Sequence, residues 1–348
     1  MALIDSEGFG LSTVAGDYLT YSAFIGLGSQ VSGCAIVTGG PLGDNYFASI
    51  NACGLRRLIS STPSTIITGF RAAFSSAYTS HVSFSDAYGN EQVHVEFSPT
   101  GQVVIVRNST VLATSAAGTV RGTTGGQTYN WVYVEIFATI SSTAGSVTIL
   151  INGATVLTVS GVNTNNATSG TAINFIDWGT SSGGNTMPLG LMHIYICDTT
   201  GAAPWNTFLG DVRVQTLIPT ANNAVQFVET GLATNWQNMA NVPPVPASDY
   251  NSSATIGQQD TFVMQPVGSN LGAILGVHVK PLVQKSDAGA RNAASVLISG
   301  SHTGVGASLT LAITAAQLKT LYEVDPNTST SWTQSAVNLI HPGYKVTA

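Results

Sequence analysis

Two histidines and a glutamate are the first candidates for chemistry in this sequence. His81 and His94 lie on the two arms of HVSFSDAYGNEQVHVEF (81–97), a stretch that reads as a β-hairpin turning at Tyr88-Gly89-Asn90-Glu91. Glu96 stands two residues beyond His94, on the same face of its strand. If the arms pair in register, the three approach one another. Zinc needs three or four converging ligands and partners that orient them. The plainer reading is three exposed polar positions on a strand, so no metal and no cofactor is assigned. Asp198, in YICDTTG, and Asp211, in LGDVRV, sit at strand ends where calcium is often held in β-sandwiches. Both serve equally as turn caps, because an aspartate bonds its own backbone there.

Carboxylate catalysis finds little support. Sandwich glycosidases with clustered acids on one strand place nucleophile and acid about 5 Å apart. Here VHVEFSPTG and WVYVEIFAT each carry a single glutamate, Glu96 and Glu135, which would have to meet across strands. No Gly-x-Ser-x-Gly elbow occurs, and no cysteine has a basic neighbour in sequence. The expectation is a chain that is not an enzyme. Trp178, Trp205 and Trp236 are the candidate glycan or interface aromatics, each with core packing as the plainer role. The polar loops 163–170 and 180–186 would give such a surface a hydroxyl-rich rim.

Strands must position these residues. Residues 129–160 hold an apolar run, a turn, a second run, Asn152-Gly153 and a third run. Asn-Gly favours a two-residue type I′ turn, which needs φ > 0 at both central positions. The expected register pairs Ile151 with Ala154, Leu150 with Thr155, Ile149 with Val156, Thr148 with Leu157 and Val147 with Thr158. Similar short segments recur from YLTYSAFI (18–25) through TIITGFRAAF (65–74), QVVIVRN (102–108), AINFIDWG (172–179) and LGLMHIYICD (189–198). Strands at even spacing with turn signals between them indicate an all-β sandwich or jelly roll. Two short helices are expected late in the chain. One follows a capping box at Thr314 and Gln317 in TAAQLKTLYE; the other starts at Thr333 in SWTQSAVNLIHPG. The expected organisation is a sandwich over 1–219, a Pro/Asn-rich connector over 220–251 and a smaller, mainly β lobe over 252–348.

Composition narrows the partners. Charged residues are 8% of the chain and hydrophobic ones 44%. So few charges suit a folded protein whose polar surface is made of Ser, Thr, Asn and Gln. A formal net charge of −6 with scattered basic residues argues against nucleic acid. Arg56-Arg57, the densest basic pair, reads as an ordinary loop pair. No apolar run is long enough to span a membrane, and MALIDSEGFG has neither the basic region nor the apolar core of a signal peptide. Cys34, Cys53 and Cys197 form no framework and read as buried small hydrophobes.

Taken together, TIITGFRAAF, GQVVIVRNSTVL, YNWVYVEIFATI…GSVTILINGATVLTVSG and LGLMHIYICDTTGAAPWNTFLGDVRVQTLIPT resemble the concanavalin A-like (laminin-G-like) jelly rolls of tailed-bacteriophage virion proteins. The LGDVRV segment, with its upstream Asp-Thr-Thr-Gly and Trp, is the most specific part. The resemblance implies a structural protein of the particle, tail- or fibre-associated, packing against other virion proteins. It also implies a homo-oligomer, with a trimer favoured, made in the host cytoplasm and located in the virion. A head decoration protein, an adhesin for host surface glycans and a glycosidase stand as alternatives.

Overall fold

The computed structural model describes residues 3–9, 34–49, 54–120, 130–166, 170–179, 188–242, 244–268 and 272–348. The segment 18–25, loop residues 180–186 and Cys53 lie outside these. The described chain is all-β, with several sheets and two short helices. It divides into two units: Met1–Leu19 with Leu27–Val214, and Thr20–Gly26 with Gln215–Ala348.

The first unit has two sheets. The larger contains β1 (Leu3–Glu7), β2 (Cys34–Val37), β3 (Tyr46–Ser49), β5 (Thr65–Ala73), β10 (Trp131–Thr139), β11 (Gly145–Ile151), β12 (Ala154–Val162) and β14 (Gly190–Cys197). Its order is β12-β11-β10-β5-β14-β3-β2, with β1 also on β14. The smaller contains β4 (Leu55–Leu58), β6 (Ser80–Ser85), β7 (Glu91–Phe97), β8 (Val103–Arg107), β9 (Thr110–Thr114) and β13 (Phe175–Trp178), in the order β4-β13-β6-β7-β8-β9.

Alternation decides which residues meet between the sheets. Ile66, Phe70, Val134 and Ile136 of the larger sheet and Val82, Phe84, Val93 and Val95 of the smaller are fully buried. Phe70 meets Trp178 edge-on at 5.8 Å, one ring from each sheet. Each such side chain contributes about 1.5–3 kcal/mol by leaving water. The residues between them in sequence face outward. That alternation separates the two basic neighbours of β4. Arg56 faces outward, whereas Arg57 is buried and ion-paired with Asp5. They are strand residues, not the loop pair expected.

The Asn152-Gly153 turn forms as expected, with φ of 50° and 79°. Ile151 pairs with Ala154 and Leu150 with Thr155. Beyond them a bulge at Val156 shifts the register, so Ile149 faces Leu157 and Thr148 faces Thr158.

The second unit is built on a six-stranded sheet. Its order is Pro219–Ala224, Gln259–Met264, His341–Val346, Asn292–Ser299, His302–Val305, with Leu309–Thr310 also on Asn292–Ser299. Its core gathers Val279, Leu297, Trp332, Val337 and Ile340. The helix Gln334–Asn338 starts as expected, Thr333 Oγ1 accepting from the Ala336 N–H at 3.0 Å. The other expected helix is absent. Ala316–Gln317 pairs with Leu282–Val283 and Thr320–Tyr322 with Val277–Val279, so distant strand pairing overrides the local capping signal. The other short helix is Asn235–Met239.

Candidate functional site

The outer face of the smaller sheet carries the cluster. β6 and β7 pair so that His81 faces Glu96 and Ser83 faces His94. A bulge after Phe84 brings Ser85 opposite Glu91. The turn between them is fixed by Asp86, whose Oδ1 accepts from the N–H groups of Tyr88 and Asn90. Glu91 therefore belongs to β7, not to the turn as expected. On the other side β13 places Asp177 beside Ser83, and β4 places Arg56 beside Asp177. One lateral row thus reads Arg56, Asp177, Ser83, His94. Strand spacing makes it about 14 Å long.

The imidazoles form the floor and the carboxylates the rim. His81 and His94 are buried, while Glu91 and Glu96 each keep 30% of their side-chain surface exposed. The two rings meet edge-on with centroids 3.9 Å apart. His94 Nδ1 is hydrogen-bonded to Glu91, and its Nε2 lies 3.2 Å from Glu96 Oε1. His81 Nε2 lies 3.7 Å from the second Glu91 oxygen. His81, His94 and Glu96 each offer a metal-ligating atom, all within 4.8 Å of one another. At the other end Arg56 donates two hydrogen bonds to Asp177, of 2.6 and 3.1 Å, and lies 4.7 Å above the Phe175 ring.

This geometry splits the two histidines. Burial, helped by the charge of His94, pushes His81 down to about 4, against the pull of Glu91 and Glu96. Burial also disfavours a charged His94, but hydrogen bonds and charge from Glu91 and Glu96 outweigh it and raise its pKa. The hydrogen bond from His94 holds Glu96 below its ordinary value despite burial. Burial raises Asp177 against the pull of Arg56.

The other sequence candidates lie elsewhere. Glu135 is on the outer face of the larger sheet, opposite in the molecule to that of Glu96, so the two cannot act as a pair. It is buried beneath residues 208–211, accepting from Tyr195 Oη at 2.5 Å and from the Gly210 N–H at 2.9 Å. Asp198 Oδ1 accepts from Thr200 and closes a turn. Asp211 pairs with Arg71. Trp178 lies in the core. Trp205 is half-buried in the turn after β14, and Trp236 belongs to the helix Asn235–Met239 of the second unit. Cys197 is buried.

Sequence reasoning did not single out Glu91, Ser83, Ser85, Asp177 or Arg56 for this surface. Their signal was the alternation itself: Ser83 and Ser85 interleave with Val82 and Phe84, and Asp177 with Ile176 and Trp178.

No protein family and no curated protein matches the sequence. Solved structures similar to it include a sialidase at 12% identity and a TM-score of 0.32, covering 57% of this chain and 18% of that one. Another is the alginate lyase Aly36B, at 16% identity and 0.34, covering 55% and 93%. A third is an endo-β-1,4-glucuronan lyase from the fungus Trichoderma reesei, at 8% and 0.35, covering 56% and 95%. The chain thus spans less than a fifth of the sialidase it matches. Identities this low transfer no site residue.

These neighbours are named as carbohydrate enzymes, against the expectation of a tailed-phage virion protein, whether of tail, fibre or head decoration, which no comparison supports. The virion partners and the favoured trimer fall with it. The expectation of no enzymatic chemistry is corrected as well, because the fold assembles His81, His94 and Glu96 into one cluster where isolated surface positions were expected. Among the described residues no helix is long and apolar enough to cross a membrane.

Proposed function

We propose that this chain binds carbohydrate on the outer face of its smaller sheet. The observation that supports the reading is the row Arg56, Asp177, Ser83, His94, edged by Ser85, Glu91 and Glu96. Sugar hydroxyls donate and accept hydrogen bonds at once, and this row offers both kinds of partner on rigid strands. Burial of the serines and imidazoles beneath half-exposed charged tips gives the row a floor and a rim. We further read the first unit as a concanavalin A-like jelly roll, supported by its two facing antiparallel sheets and the return of β13 and β14 to interior positions in them.

Binding of the purified chain to an array of neutral and acidic glycans tests the reading. A defined set of ligands should bind, and Arg56→Ala and Asp177→Asn should each weaken binding about tenfold or more, as loss of charge-assisted hydrogen bonds does. An array without ligands, or ligands indifferent to both substitutions, would sink it. A second reading, cleavage of the bound glycan, is favoured by the placement of His94 between two carboxylates, the geometry of proton transfer. Release of new chain ends from an array-positive polysaccharide tests it.

A further inference from the structure

We propose that His81, His94 and Glu96 bind a divalent transition-metal ion, zinc being the natural occupant, with Glu91 orienting His94 from behind. This goes beyond carbohydrate binding and does not depend on it.

Four features converge. First, the ligand set is two imidazoles and one carboxylate, without thiolate. Imidazole nitrogen selects zinc, copper, nickel or iron over calcium and magnesium, which prefer all-oxygen shells. Two histidines and a glutamate also leave the fourth tetrahedral position open, as in zinc sites that hold water or substrate.

Second, the spacing is right. With metal–ligand bonds of about 2.0–2.1 Å, donors around tetrahedral zinc stand about 3.3–3.4 Å apart. His94 Nε2 and Glu96 Oε1 are already 3.2 Å apart, and all three donors lie within 4.8 Å of one another. Small side-chain rotations close the remainder without moving the strands.

Third, the far side of His94 is prepared. Glu91 holds Nδ1, so Nε2 is the nitrogen that faces Glu96, across a hydrogen bond that a metal ion would replace. A carboxylate on the remote nitrogen of a metal-binding histidine fixes its ring and tautomer and raises its basicity.

Fourth, the donors sit on two hydrogen-bonded strands with buried imidazoles and half-exposed carboxylates. An ion can enter from solvent and finds its ligands pre-oriented.

The test uses the whole chain, stripped with EDTA and titrated with ZnCl2 against a chromophoric chelator and by calorimetry. A single zinc ion per chain should bind. His94→Ala and Glu96→Gln should each weaken it by about 100-fold or more, Glu91→Gln by about 10- to 100-fold, and His302→Ala should leave it unchanged. Circular dichroism establishes that each variant is folded. Because an alanine in this packed floor can disturb folding, Co²⁺ provides a second readout. The intact chain should give the intense visible bands of a four- or five-coordinate ion, and folded Glu96→Gln should lose them. No stoichiometric zinc, an affinity indifferent to both Glu96→Gln and His94→Ala, or displacement by equimolar Ca²⁺ would each overturn the proposal. Zinc bound normally by a chain that binds no glycan would leave it standing while sinking the carbohydrate reading; a glycan binder without zinc would do the reverse.

Discussion

The backbone N–H of Val214 donates to Nδ1 of His193 across 3.2 Å. That bond sets the tautomer: the proton must sit on Nε2, which lies 3.2 Å from Asp44. Arg213 holds the other Asp44 oxygen at 2.8 Å, and Arg71 with Asp211 lies nearby. Burial pushes His193 down to about 4, the attraction of Asp44 notwithstanding. Protonating Nδ1 would also set one donor against another at Val214. The folded state therefore binds fewer protons than the unfolded one between about pH 4 and the ordinary histidine value near 6.5. Stability should be complete above about pH 6.5 and fall as pH drops towards 4, by at most ~3 kcal/mol for this group. His193→Gln keeps a polar side chain but cannot titrate. Its urea midpoint should depend less on pH than that of the parent across this window, and equal slopes would refute the assignment.

Glu135 is a structural carboxylate. Tyr195 and Gly210 donate to it, and the Leu209 N–H donates to Tyr195 Oη at 3.1 Å. The pair thus ties the covering segment to the larger sheet. Tyr195→Phe removes two of these hydrogen bonds and should cost about 1–3 kcal/mol in chemical denaturation. Gly69 shows how closely the ring is seated: a Cβ there would stand 2.1 Å from Tyr195 Cε1, so Gly69→Ala should be at least as costly. If Glu135 served carbohydrate chemistry directly, Glu135→Gln would abolish binding or turnover in a fully stable protein. The expected result is lowered stability with glycan binding unchanged at temperatures where the variant is folded.

Much of the strand pattern was legible because alternation and turn chemistry act locally. Asn152-Gly153 specified its turn and the first two pairs, and Thr333 specified its helix cap. The bulge at Val156 had no such marker, since neither glycine nor proline stands there. The segment TAAQLKTLYE carried a genuine capping pattern, yet Leu318 and Leu321 are buried by partners about 40 residues away in sequence. The site was half legible. His81 and Glu96 follow from the hairpin register, but the neighbours Asp177 and Arg56 arrive on strands distant in sequence. Glu135 was unreadable for a similar reason: only the fold reveals what covers it.

Arg57 and Asp5 form a buried ion pair between β4 and β1. Burial lowers the guanidinium to about 10, which leaves it charged at neutral pH. Removing one partner strands the other charge. Arg57→Met alone and Asp5→Leu alone should each cost about 3–5 kcal/mol. The double substitution should recover most of that, because two apolar side chains need no compensation. Urea denaturation of the three variants forms a double-mutant cycle, and costs that simply add would show that the pair is not coupled.

Asn152 has two tasks that substitution separates. Its φ of 50° requires a residue tolerant of the left-handed region, and its Oδ1 accepts from the Tyr133 N–H of the neighbouring strand at 2.8 Å. Asn152→Gly keeps the turn and loses the bond. Asn152→Ala loses both, adding about 1–2 kcal/mol of backbone strain. Gly153, at 79°, needs the same left-handed backbone but makes no such bond, so Gly153→Ala should cost about 1–2 kcal/mol. The alanine variant at 152 should therefore be the least stable of the three. Amide exchange should show where the loss falls. Asn152→Gly should speed exchange at Tyr133 more than at Leu150 or Thr155, whereas Gly153→Ala should loosen the β11–β12 pairs nearest the turn. Equal protection at Tyr133 in parent and Asn152→Gly would rule out a cross-strand role for the asparagine.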